Sequence, residues 1–208
     1  MKQTGVVFYD WEIRAFLAGT KTQFRRVIKP AQVERCPFHP GDLIWAKEAL
    51  FWESYASNGY TALDYLLDHE EVIAEIPVVW NPPVGYSNTH WEGGDNIPGG
   101  GFYWSDGTVP ARCMPRWASR ISREIVSIRA ERLQDIIAAD AEAEGVVGKT
   151  SASPVRGHPY EEYRNGDGLV YPSPRAAYIP LWNSNNEKKG DPWSANPWVW
   201  VVSFKAVE

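Results

Sequence analysis

Trp198-Val199-Trp200-Val201-Val202-Ser203-Phe204 decides the fold. β-branched and aromatic residues fill this stretch throughout, which suits a strand and opposes a helix. A second strand is expected over Ser122–Ala130, where Ile125 and Ile128 follow Ile121 among polar residues. A short third one, Leu43-Ile44-Trp45-Ala46, comes directly after the turn-like Gly41-Asp42. Helices alternate with these strands. Residues 11–18 carry apolar groups at 13, 16 and 17, a helical spacing, and Gly19 stands where a helix ends. Residues Ala138 to Glu144 read as an acidic helix closed by Gly145, and Arg175–Asn183 as a third helix. Leu133-Gln134-Asp135-Ile136 is a turn. The expected class is α+β.

The chain has 208 residues, of which 44% are hydrophobic. That is enough apolar material for a core and excludes global disorder. The length fits one domain, 1–208, carrying a large insertion. The insertion is placed at about 52–111, rich in Trp, Tyr, Gly and Pro, with one short helix near 61–69. A further polar loop is expected over about 147–174. Long loops in compact domains serve as lids, and their aromatics also form satellite clusters; both readings stay open. Eleven Trp residues act as core fillers or as stacking platforms, and composition does not choose. Among them Trp45, Trp117, Trp182, Trp198 and Trp200 are assigned to the core.

Cys36 and Cys113 are too few for a disulfide framework, so a reduced setting is the simpler expectation. Residues 1–8 lack a signal-peptide apolar region, and no run reaches membrane-spanning length. The chain is expected to be cytoplasmic and to have no membrane partner.

The net charge of −5 opposes a protein that coats long nucleic acid by charge alone. The charge is uneven, however. Residues 14–35 and 112–132 together hold twelve Lys and Arg against three Glu, a local +9 on a remainder of −14. If the two stretches meet, they form a small basic face suited to a nucleotide or a short nucleic-acid segment. If they do not, they are strands with solvated or paired arginines.

Gly19-Thr20-Lys21-Thr22-Gln23-Phe24-Arg25-Arg26 is the sharpest local motif. It sets a Lys and two hydroxyls at a helix end, followed by paired Arg, and its Gly spacing is not that of a P-loop. The other motifs are Gly41 to Glu48, Met114 to Arg120, Glu131 to Ile136 and Asp140 to Gly145. Metal chemistry has weaker candidates. Cys36-Pro37-Phe38-His39 is half a zinc site, which Cys113 with His90 or His158 would have to complete. Asp135, Asp140, Glu142 and Glu144 could serve a divalent ion in a nuclease, or simply form a solvated helix start.

In this order, with Cys36-Pro37, Leu181-Trp182 and Asn196 to Trp200, these segments resemble the ASCH domain family of the PUA-like superfamily. The larger phage and prophage members are the nearest in pattern. The match spans most of the chain outside 52–111 and 147–174. The resemblance implies a strongly curved PUA-like β-barrel with flanking helices and a cleft beside the Lys-Thr motif. It implies RNA or a modified pyrimidine nucleoside as partner, a host-cell cytoplasmic setting, and no cofactor. Small bacterial members include amidohydrolases that act on N4-acetylcytidine with a Lys, a Thr and a Glu. Carried over by position, the Lys is Lys21 and the Glu is Glu144, while the Thr falls on Phe24.

A phenyl ring cannot be a nucleophile. Residues i and i+2 of an extended segment share a face, so Thr22 is the candidate in its place and Phe24 a candidate stacking ring. Amide hydrolysis needs a nucleophile, a group that takes its proton and a donor to the leaving amine. A desolvated Lys21 could be the base, and Glu144 could orient water or protonate nitrogen. Arg25, Arg26, Arg116 and Arg120 are the candidate phosphate or base contacts. The competing readings are a non-catalytic RNA-binding module, a metal-dependent ribonuclease, and a Lys21–Glu144 pair that only ties helix to loop.

Overall fold

The computed structural model describes residues 1–32, 36–55, 60–65, 68, 107–152, 159–165 and 169–207. Its strands and helices run in the order β1 (Gln3–Val7), α1 (Asp10–Leu17), β2 (Gln23–Val27), β3 (Leu43–Lys47), β4 (Leu50–Tyr55), β5 (Tyr60–Tyr65), β6 (Gly107–Val109), β7 (Ser122–Arg132), α2 (Ala138–Ala143), β8 (Val147–Ala152), β9 (Pro159–Arg164), α3 (Pro174–Asn186) and β10 (Trp198–Ala206). The class is α+β. Its largest sheet has five strands in the order β1-β3-β7-β10-β2. That sheet is open, with β1 and β2 as its edges, and is not a closed barrel.

The chain divides into two compact units. The first holds Met1–Thr4, Tyr9–Ile44 and Ile121–Glu208, and the second Gly5–Phe8 and Trp45–Arg120. In the second unit, β4 pairs antiparallel with β5 and with β6. The helix expected near 61–69 is therefore a strand over Tyr60–Tyr65. The apolar spacing of this segment fits either state, and cross-strand pairing with β4 selects the strand. Trp80, Trp91 and Trp104 lie outside the described residues.

In the first unit, β10 pairs antiparallel with β7 and with β2. Val199 and Val201 are fully buried and join Leu133, Ala141, Ala177, Leu181 and Trp182 in one core cluster. Val202 and Phe204 are buried too. Phe204 stacks on Phe16 at 5.2 Å and lies 6.0 Å from Phe24. The five Trp residues assigned to the core divide differently. Trp182 is buried, Trp45, Trp117 and Trp200 are half-buried, and Trp198 is 49% exposed. The valines of β10, not its indoles, fill the interior.

The loop expected over 147–174 contains the β8–β9 hairpin, with Gly148 opposite Tyr163. A Cβ at Gly148 would come within 2.9 Å of the Tyr163 ring, so the missing side chain lets that ring lie on the strand. α3 opens at Ser173, whose hydroxyl accepts from the Ala176 N–H, with Pro174 at the first turn. α2 ends at Glu144, and Gly145 follows at φ 113°. That positive φ, and a Cβ that would sit 2.6 Å from Ala15, both require glycine there. Glu144 is thereby fixed at the tight junction of α2 with α1.

Candidate functional site

Alternation along the strand decides which side chains meet. Lys21, Gln23 and Arg25 all point toward α2 and are buried, while Phe24 points the other way. Lys21 Nζ donates to Glu144 Oε2 and to the Glu144 carbonyl, each at 2.9 Å, and lies 3.4 Å from Glu12 Oε1. Arg25 donates to Glu144 Oε1 at 3.0 Å and to Glu131 at 2.7 Å, with Asp140 at 3.1 Å. Glu144 thus presents one oxygen to each of two cations. Arg26 reaches Glu12, and Arg129 holds both Glu131 and Asp140 at 2.8 Å. Gln23 donates to Asp140 at 3.2 Å.

The network counts four cations, Lys21, Arg25, Arg26 and Arg129, against four carboxylates, Glu12, Glu131, Asp140 and Glu144. It is formally neutral. The Lys21, Glu144 and Arg25 side chains are essentially inaccessible, at 0, 1 and 0% exposure. The two basic stretches do converge, through Arg25 and Arg129. They meet on carboxylates rather than forming an open basic face. Burial alone pushes the Arg25 pKa down, but Glu144, Tyr178 and Glu131 more than offset it, and the guanidinium stays charged. The buried Tyr178 hydroxyl is held well above its ordinary range, by burial first and by Glu144 second.

Glu12, which the sequence pattern marks only as a polar position of a helix, ties α1 into this network. It is the third residue of α1, and its Oε2 accepts from the Tyr9 N–H at 3.1 Å. Burial raises its pKa, but Arg26 and Lys21 outweigh burial and leave it below the ordinary 4.5. A carboxyl depressed in the folded state stabilises the fold above its unfolded pKa and loses that contribution as pH falls through the folded value. Melting temperature is therefore expected to fall as pH drops below about 4.5. Glu12→Gln should start lower at neutral pH and show a shallower acid decline, measured by circular dichroism melts across the acid range.

The remaining expected site residues fall elsewhere. Thr22 is exposed on the side opposite Lys21, and its N–H donates to the Ala143 carbonyl at 2.8 Å. It is not placed as a nucleophile on the Lys21–Glu144 pair. Phe24 is 0% exposed, edge-on to Phe38 at 5.5 Å, with Arg26 5.0 Å from its ring centre. It is a core ring, not a platform for a base, because β2 turns it away from solvent. Arg116 and Arg120 belong to the second unit. Arg116 is exposed beside Trp45, and Arg120 is held by Glu48 and Asp68 at 2.8 and 2.9 Å. Both cysteines are free thiols. Among the described residues no group of three or more His, Cys, Asp and Glu could hold a metal ion. His90 and His158 lie outside those residues.

An open-sided cleft of about 750 Å³ lies next to the network within the first unit. Its walls include Tyr9, Trp11, Arg14, Thr20, Arg164 and Asn185. Sequence reasoning missed most of these, since α1 was read for its buried face only. Trp11 links cleft and network, because Lys21 Nζ sits 4.9 Å from its ring centre. The Trp11 Nε1 is buried and meets no acceptor among the described residues. Thr20 donates its hydroxyl to the Ala15 carbonyl at 3.2 Å, closing α1 beneath the cleft. A second cavity of about 440 Å³ shares Thr20 and Val147 with the first and is lined by Glu142, Lys149, Glu161 and Tyr163. Among the described residues no helix is long and apolar enough to cross a membrane. Set against protein-family models, curated proteins and solved structures, the chain matches none of them.

Proposed function

We infer that this chain is an ASCH-type, PUA-like protein that takes a pyrimidine nucleoside, free or within RNA, into the cleft beside Lys21. The observation that carries this reading is Trp11, which walls the cleft on one side and meets Lys21 on the other. The cleft volume suits a small-molecule ligand. Tyr9 and Trp11 are rings on which a base can stack, and an acceptor on the ligand would satisfy the Trp11 indole N–H. Arg14 supplies positive charge for a phosphate beside Arg164, which pairs with Glu162 at 3.2 Å, and Asn185 an amide for a base edge.

Binding is favoured over turnover. The Lys21 ammonium and the Glu144 carboxylate are satisfied by each other and by Arg25 and Glu12, with no face left open to a substrate. Thr22 and Phe24 supply no nucleophile at that pair. One observation favours hydrolysis as the second reading, the 2.9 Å approach of Lys21 Nζ to the Glu144 carboxylate. That reading requires the pair to open on substrate.

Titration with cytidine and with N4-acetylcytidine, followed by tryptophan fluorescence and calorimetry, separates the two. Saturable binding that weakens in Trp11→Ala by about 1–3 kcal/mol is expected, the size of one base–aromatic stack. Chromatography should show N4-acetylcytidine unchanged. Conversion by the wild type that disappears in a folded Lys21→Ala variant would replace binding by hydrolysis. If neither nucleoside binds, the cleft assignment fails.

A further inference from the structure

Away from the cleft, the first unit carries a surface chain of alternating arginine and tryptophan. Arg132, at the end of β7, faces Trp198 of β10 in the sheet register, with its guanidinium 4.8 Å from the indole centre. Arg132 also donates to the Asn196 carbonyl at 3.1 Å. The Asn196 side chain accepts from the Gln134 N–H at 2.8 Å, and the Gln134 amide donates to the Trp193 carbonyl at 3.0 Å. Arg175, in the first turn of α3, donates to the Gln134 carbonyl at 2.8 Å and stacks 5.4 Å from the Trp193 ring centre. Six residues thus form one surface row from Trp198 to Arg175, joined by hydrogen bonds and stacked guanidinium groups, with Asn196 at the left-handed φ of 44° making the corner.

Two features separate this row from the buried ion network. Arg25, Arg26 and Arg129 are each neutralised by carboxylates, whereas among the described residues neither Arg132 nor Arg175 has a carboxylate partner. Both arginines are exposed and are fixed only by a backbone carbonyl and an indole, which leaves other guanidinium donors directed to solvent. Asp135 is exposed next to Gln134 and is joined to neither. Second, Trp198 is 49% exposed. Stacked guanidinium groups hold their donors in fixed planes, so little side-chain freedom is lost when an anion arrives. The N-terminus of the 13-residue α3 adds positive potential beside Arg175.

We propose that the row Trp198–Arg132–Asn196–Gln134–Trp193–Arg175 is a docking face for single-stranded RNA. Arg132 and Arg175 each hold a phosphate, and Trp198 stacks a base. Charge complementarity demands an anionic partner. The half-exposed Trp198 indole beside Arg132 selects a strand with unstacked bases over a duplex, whose bases are not free to stack, and over a polyglutamate-like peptide, which has no ring to offer. The face is separate from the nucleoside cleft and does not need it.

Fluorescence anisotropy with a labelled single-stranded oligoribonucleotide of about a dozen nucleotides tests it on the full chain. Arg132→Gln with Arg175→Gln should weaken binding and reduce the slope of log affinity against log salt by about 1.4, at about 0.7 per phosphate contact on a single strand. Trp198→Ala should weaken binding by about fivefold or more. Arg132→Lys keeps the charge and loses the planar stack, so it should preserve the salt slope while lowering affinity. All three positions are at the surface, and unchanged melting curves will show that the fold is kept. Competition by an equal length of duplex RNA or by polyglutamate as strong as that of the single strand would overturn the proposal, the latter in favour of an acidic protein partner. So would wild-type affinity in the variants, or no binding of RNA at all. Cytidine titration of the same variants keeps the two sites apart. Unchanged nucleoside binding with lost RNA binding supports both sites. RNA binding with this dependence and no cytidine binding leaves this face standing and removes the cleft reading.

Discussion

Glu144→Leu is expected to lower unfolding stability by about 3–5 kcal/mol, read from chemical denaturation at neutral pH. The carboxylate holds Lys21 at 2.9 Å and Arg25 at 3.0 Å, and all three side chains are sealed from water. Removing it leaves Lys21 with Glu12 at 3.4 Å and Arg25 with Glu131 and Asp140. The deficit of one negative charge is then felt by two buried cations. Pairing the change with Lys21→Met removes the ammonium as well and should recover a large part of the loss. A well-packed apolar pair is often as stable as the ion pair it replaces. If the double variant is no more stable than Glu144→Leu alone, the Lys21–Glu144 pair is not the element whose disruption is costly. An independent effect of the two substitutions would likewise show that they are not coupled.

Phe24→Thr is expected to cost about 3–5 kcal/mol and to create no hydrolytic activity. The substitution gives the sequence a hydroxyl at the position where the ASCH-like pattern has one. The ring is fully buried between Phe38 and Phe204, however, on the face of β2 that looks away from Glu144. Its loss leaves a cavity, and the new hydroxyl is buried without the Lys21 ammonium to assist it. Denaturation measures the first part of the expectation, and chromatography of N4-acetylcytidine the second. Appearance of conversion in Phe24→Thr would mean that β2 is twisted differently when substrate is present.

The local signals in the sequence were good where one residue type decides the backbone. Gly19 and Gly145, at φ 73° and 113°, end α1 and α2 where expected, and the β-branched run at 198–204 lies within β10. The β8–β9 hairpin was not legible, because its strands are polar and owe their existence to each other and to the Tyr163 ring on Gly148. β5 escapes the local pattern for the same reason, since its pairing with β4 is a long-range choice. The meeting of Lys21 with Glu144 came from motif resemblance, 123 residues apart in sequence. Its burial did not. A strand reading Lys21-Thr22-Gln23-Phe24-Arg25 has a polar face and an apolar position, and the ordinary expectation buries the phenyl ring and exposes the charges. Here both faces are covered. The cations are inside because Glu12, Glu131, Asp140 and Glu144 arrive from three other elements, and no local pattern announces such partners.

β2 is an edge of its sheet, bonded to β10 on one side only. Open edges invite other chains to add a strand, and proteins guard them with charge. Arg25 and Arg26 sit on the edge strand itself, and a strand from another copy would have to settle among guanidinium groups already committed to Glu131, Asp140 and Glu12. The ion network that closes the Lys21 pocket therefore also protects the chain against sheet-to-sheet aggregation, and acid that protonates its carboxylates loosens both at once.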